Sequence, residues 1–199
     1  DIGVSGETIF VGTTAIGDEE DSAEGYLYAI DTSPNAPSIR KWRIPLDGNA
    51  WGGVAVEGST AYIATMSGTL YAVDISDVDS AASPEERIKW TFEAEGAIAG
   101  PILVEDGKLY FGDLAGNAYK IDASSRSVSS QLSDVNTGSG EWVFDAGGWL
   151  WAKPVLEDGT VYISSLDGSI HALDDSNGSE TWTASVEGQI VSSPTLFDR

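Results

Sequence analysis

The chain has 199 residues, 41% of them hydrophobic and 10% aromatic, a composition that excludes a disordered polymer and leaves room for one or two domains with a real core. Its 32 acidic residues against 10 basic ones give a formal charge of -22, a field that repels phosphate backbones and anionic lipid and so argues against nucleic acid and membrane surfaces as partners. No apolar run approaches the ~20 residues of a transmembrane helix. The absence of cysteine removes disulfides, thiolate metal sites and cysteine nucleophiles.

In chain order, the first predicted strands are Thr8–Gly12 and Gly25–Asp31, followed by a third at Lys41–Ile44 that carries Trp42. The pattern then returns with an added strand in front: Val54–Val56, Ala61–Ala64, Gly68–Asp74 and Lys89–Phe92. It returns again as Ile102–Val104, Lys108–Gly112, Gly116–Asp122 and Trp142–Phe144, and once more as Val155–Leu156, Thr160–Ser164, Gly168–Asp174 and Thr181–Ala184. Each segment alternates large apolar with small or polar residues, the period of a half-buried strand. The glycine between the two central strands supplies a tight turn, so they read as a hairpin. No segment carries a helical period.

The repeat has a fixed signature. Glycine, two residues, a ring, two residues and aspartate recur at Gly25–Asp31, Gly68–Asp74, Gly116–Asp122 and Gly168–Asp174, and a tryptophan follows at Trp42, Trp90, Trp142 and Trp182. Four-stranded units repeated every ~40–50 residues are the mark of β-propeller blades, each burying its faces against its neighbours. The fold class is therefore all-β: a propeller of antiparallel blades spanning approximately 1–52, 53–100, 101–153 and 154–193, with residues 194–199 opening another. The chain starts at Asp1 with neither methionine nor leader, the expectation for a processed or excised piece.

The fourth copy, with Ala172-Leu-Asp174, Gly178 and Trp182, resembles the blade motif Ala-x-Asp-x-x-Thr-Gly-x-x-x-Trp of the pyrroloquinoline-quinone (PQQ) type repeat, with Asn177 in place of threonine. That family includes quinoprotein dehydrogenases and outer-membrane assembly lipoproteins. The other copies keep the aspartate and tryptophan but lengthen the link between them, at Thr32–Ser38, Ser76–Glu86 and Ala123–Gly140. The resemblance implies a ring of seven or eight blades, reached through further blades or through two copies that pair to close it. It also implies that the loops between blades share a face near the central channel. Those loops carry Trp51, Trp149, Trp151 and Lys153: the rings either plug the channel or pack between blades, or, with the cation beside them, stack a flat ring, a sugar or a peptide. The acidic loop Gly17–Glu24 falls on that face too.

The repeated aspartates Asp31, Asp74, Asp122 and Asp174 suit acceptance of backbone N–H groups at a turn better than catalysis, because they recur once per blade. His171, the one histidine, takes the slot of Tyr28, Tyr71 and Tyr119 and reads as a packing residue. Asp175-Ser-Asn177-Gly178 and Asp74-Ile-Ser-Asp77-Val-Asp79 have calcium-like spacing without completing a calcium loop. No catalytic residue, metal ligand set or resident cofactor is assigned; calcium and PQQ are the two groups the family would bring. The expectation is a non-catalytic, extracytoplasmic scaffold or protein-binding propeller, secreted, periplasmic or on the cell surface. The alternatives are a piece of a PQQ- and calcium-dependent alcohol or sugar dehydrogenase and a carbohydrate-binding propeller.

Overall fold

A computed structural model describes residues 2–14, 25–35, 39–79, 81–124, 129–131, 135 and 140–197. The Gly17–Glu24 loop lies outside the described residues. Alternating side chains build four antiparallel sheets in chain order. The first holds β1 (Gly3–Ser5), β2 (Thr8–Gly12), β3 (Gly25–Asp31) and β4 (Arg40–Leu46). The second holds β5 (Val54–Glu57), β6 (Thr60–Ala64), β7 (Thr69–Asp74) and β8 (Ile88–Glu93). The third holds β9 (Leu103–Glu105), β10 (Lys108–Gly112), β11 (Asn117–Asp122) and β13 (Trp142–Asp145), and the fourth β14 (Val155–Glu157) to β17 (Glu180–Ser185), with β15 (Thr160–Ser164) and β16 (Ser169–Asp174) between. The architecture is a partial β-propeller.

Three elements were not anticipated. β1 is short and carries one large apolar residue, Val4, so its sequence signal is weak. A single 3-10 turn, Glu85–Arg87, enters β8. Within the long link of the third copy, β12 (Ser129–Gln131) pairs in parallel with β8 and extends the second sheet rather than its own. A polar strand can do this because an edge strand offers unpaired backbone groups whatever the side chains are.

The sheets stack through three successive cores. Phe10, Leu27, Ala29 and Ile44 of the first sheet meet Ala61, Ile63, Tyr71 and Val73 of the second. Tyr62, Leu70, Ala72, Trp90 and Phe92 of the second meet Leu109, Phe111, Tyr119 and Ile121 of the third. Tyr110, Ala118 and Trp142 of the third meet Val161, Ile163 and Leu173 of the fourth. The antiparallel strands of the second and third sheets thus send alternate residues into two different cores, and burying apolar area on both their faces is what holds the stack.

The repeat tryptophan welds each pair of sheets. Trp42 Nε1 donates to the Val78 carbonyl at 3.0 Å, Trp90 Nε1 to Ala123 at 3.0 Å and Trp142 Nε1 to Asp175 at 2.9 Å. The acceptor always belongs to the following blade, so each ring is both a core residue and a hydrogen-bonded bolt. Opposite Trp42, Trp90 and Trp182 the ladder skips one residue, a β-bulge that turns the outer strand.

Candidate functional site

The repeated aspartates lie at the ends of β3, β7, β11 and β16. Each accepts the backbone N–H two residues on: Ser33 at 2.9 Å, Ser76 at 2.9 Å, Ser124 at 2.8 Å and Ser176 at 2.8 Å. For Asp31 and Asp174 the Ser33 and Ser176 hydroxyls, followed by these backbone bonds, and for Asp74 the Ser76 backbone bond, hold the carboxyl below the usual range. For Asp122 burial pushes upward, but the Lys108 ammonium at 2.5 Å and the Ser124 bonds outweigh it and bring the group to about 2. Carboxylates engaged in this way are turn locks.

Asp175 is the hub between the third and fourth blades. Its carboxylate takes the Lys120 ammonium at 2.8 Å and the Tyr110 hydroxyl at 2.9 Å, and its carbonyl takes both Lys120 and Trp142. Lys120 is buried, so the pair removes the cost of a lone charge in the core. Gly178, at φ 71°, closes the same turn; a Cβ there would stand 2.5 Å from the Trp142 ring. The glycine of the blade motif is therefore required by close approach as well as by backbone conformation.

The calcium-like segments do not fit a cation. Asp175 is committed to Lys120 and Tyr110, Asp79 to Lys41 at 2.7 Å, and Asp74 and Asp77 to backbone N–H groups. Among the described residues no group of three or more His, Asp or Glu side chains is placed to hold a metal. His171 is buried on the face of β16 toward the third blade, with its ring 5.3 Å from that of Phe144 and its Nδ1 2.6 Å from Glu180.

Two further acids were missed by sequence reasoning. Asp113 is fully buried after β10 and accepts from the backbone N–H of Gly96, Ala115 and Asn117 at 2.8–3.0 Å and from the Tyr119 hydroxyl at 2.7 Å. Asp47 accepts from the hydroxyls of Thr65, at 2.9 Å, and Thr69. The signal was present: Thr13, Thr65, Asp113 and Ser165 occupy one repeat position, each offering a side-chain oxygen to the hairpin turn. Burial beside Asp113 and Glu95 raises the Tyr119 hydroxyl well above its ordinary value, so it stays a donor.

The blade-to-blade loops present a partly exposed aromatic surface. Backbone bonds pin them to the hairpin turns: Ala50 to Thr13, Met66 to Asn49, Ile98 to Thr65, Leu114 to Ala97, Leu150 to Asp113 and Leu166 to Trp149. At Gly100 the loops crowd so closely that a Cβ would lie 2.5 Å from the Trp151 carbonyl oxygen. This approach brings Trp51 and Trp151, a hundred positions apart, to a ring separation of 5.8 Å at 58°. Trp51 is 52% exposed and Trp149 56%, whereas Trp151 is half-buried. Trp149 makes no ring contact with the other two. Lys153 is half-buried, and its backbone N–H donates to Ser193 Oγ at 2.9 Å. What the arrangement supplies is a rigid, paired aromatic platform with a cation in the same loop.

Comparison with known proteins follows the same lines. The family model described as outer membrane protein assembly factor BamB matches residues 128–198. The crystal structure of BamB from Moraxella catarrhalis superposes with a TM-score of 0.69 at 25% identity, over 100% of this chain and 52% of that one. A europium-containing methanol dehydrogenase superposes with a TM-score of 0.64 at 14% identity, over 94% of this chain and 41% of that one, a likeness of fold alone. The chain thus spans about half the length of the solved propellers it resembles. No curated protein matches it.

Proposed function

Starting from a chain built of PQQ-like propeller repeats, we propose that it is a non-catalytic scaffold or protein-binding module that works outside the cytoplasm. The observation that carries this reading is the Trp51–Trp151 pair, with Trp51 and the separate Trp149 more than half exposed, on loops that backbone bonds pin to the hairpin turns. Exposed aromatics on a fixed frame give large contact area at low entropic cost, the property of interface anchors. The likeness to an assembly factor along the whole chain supports the same class of role. The formal charge of -22 favours a partner segment that combines apolar side chains with basic ones.

The dehydrogenase alternative draws on a likeness of fold alone. The Asp74–Asp79 and Asp175–Gly178 segments, its nearest calcium candidates, are engaged in turns and ion pairs. The carbohydrate alternative uses the same tryptophans as the protein-binding one. Calorimetric titration with extended apolar–basic peptides, neutral oligosaccharides and PQQ with calcium separates the three readings. The expected result is a response to the peptides, lost in a variant combining Trp51→Ala, Trp149→Ala and Trp151→Ala that melts as the parent does. A response only to sugars, or only to PQQ, would overturn the proposal.

A further inference from the structure

We infer that Asn177, in the turn between β16 and β17, is the acceptor of an N-linked oligosaccharide. Such a modification takes place outside the cytoplasm and so rests on the location proposed above, but it engages a different part of the molecule. Asn177-Gly178-Ser179 has the pattern of an N-glycan acceptor, an asparagine followed two residues later by a hydroxyl, with no proline between. Asn35, Asn49, Asn117 and Asn136 lack that hydroxyl, so the chain holds one such triplet. Asn177 and Ser179 are both exposed.

The turn leaves the reactive nitrogen free. Asn177 Oδ1 accepts the Ser179 N–H at 2.8 Å, so the carboxamide is spent on its oxygen side alone. Among the described residues Asn177 Nδ2 and the Ser179 hydroxyl have no partner. Asp77 shows that the turn has no use for that nitrogen. It lies three residues beyond Asp74, as Asn177 lies beyond Asp174, and its Oδ1 accepts the Asp79 N–H at 3.2 Å. Asp77 is exposed although the third blade follows it, so exposure of this corner belongs to the blade and not to its place in the chain. An asparagine before glycine has a competing fate, attack of the glycine nitrogen on the carboxamide. Here Gly178 is buried and its N–H donates to the Asp174 carbonyl at 2.8 Å, which keeps that nitrogen engaged.

The donor is a lipid-linked oligosaccharide phosphate presented by a transferase. Asn177 Nδ2 attacks the anomeric carbon, and the N–C bond forms as the C–O bond to phosphate breaks. The electron pair of that bond leaves with the phosphate, and the amide proton passes to a base of the transferase. No oxidant or reductant takes part. β16 runs six residues, about 20 Å, between the hairpin turn that is bonded to the Trp149 loop and the turn that holds Asn177. A glycan there projects from the end of the blade opposite the tryptophan loops and leaves them open.

The test is mass spectrometry of the protein and its variants produced in the cells that naturally make it. Cytoplasmic and exported fractions are kept apart, and electron-transfer fragmentation places any added sugar. The expected result is an oligosaccharide on Asn177 of the exported chain, lost completely in Asn177→Asp and Ser179→Ala and retained in Ser179→Thr. Asn177→Asp keeps the oxygen that the turn needs, as Asp77 does, so its circular dichroism and export should match the parent's. An exported chain with bare Asn177 would overturn the inference and leave the proposed function standing, whereas a chain confined to the cytoplasm would overturn both. Sugar that survives Asn177→Asp would belong to another residue and would overturn the inference as well.

Discussion

Trp90 and Trp182 occupy the same place in two copies of one repeat, each against a tyrosine at nearly the same separation, yet one is 5% exposed and the other 47%. The difference comes entirely from what lies behind the ring. Behind Trp90 stand the third blade's Leu109, Phe111 and Ile121 and the Ala123 carbonyl, whereas β17, which carries Trp182, is exposed along its whole length. A blade face thus buries its ring only against a neighbouring blade.

The largest effect that sharpens this contrast is Trp90→Ala, expected to cost about 3–5 kcal/mol through the lost burial and the cavity left behind. Trp182→Ala in the same denaturant titration should cost less than about 1 kcal/mol, as surface changes do. Equal costs would mean that the copies are not stacked as described.

Next comes the Asp175 hub. Asp175→Ala leaves Lys120 buried with only a carbonyl for a partner and should destabilise by about 2–4 kcal/mol. Pairing it with Lys120→Met should recover most of that loss. A double variant no more stable than the single one would show that the ion pair is not the interaction that matters. Gly178→Ala, which forces a methyl toward the Trp142 ring, should cost about 1–3 kcal/mol, visible as a lowered melting temperature.

Asp122 gives a smaller, pH-dependent effect. Its carboxyl is held near 2 in the fold against 3.8 ordinarily. A depressed folded value contributes stability above the unfolded one, and that contribution is lost as pH falls through the folded value. Asp122→Asn should therefore be less stable than the parent at neutral pH, by less than the full shift because solvent still reaches the half-buried carboxylate and screens it. The gap should close between about pH 4 and pH 2; a gap unchanged across that window would assign the effect to shape. The smallest and broadest effect is salt: screening among 32 acidic residues should raise the melting temperature from low to molar salt. A flat profile would show that self-repulsion does not limit the fold.

How far the sequence carried this picture depends on the kind of interaction. The hairpins, the repeat aspartates and the tryptophan strand were legible because each rests on local alternation and recurs four times. β12 was not, because its pairing with β8 uses backbone groups and leaves no pattern in Ser129–Gln131. Trp51 and Trp151 were both singled out, but their contact was not foreseeable, since it arises from small residues at Gly52 and Gly100 that let distant loops close up. Asp113 was overlooked as one variant among Thr13, Thr65 and Ser165, although its buried carboxylate makes the densest bond network of the four.

The four copies are bolted to one another by Trp42, Trp90 and Trp142. Hydrogen exchange at the tryptophan indole N–H groups, followed by nitrogen-15 NMR, tests it most directly. Exchange should be slow at Trp42, Trp90 and Trp142, whose indoles are bonded across blade interfaces, and fast at the exposed Trp51 and Trp149. Uniformly fast exchange, or protection at Trp51 and Trp149 in place of the repeat positions, would contradict it.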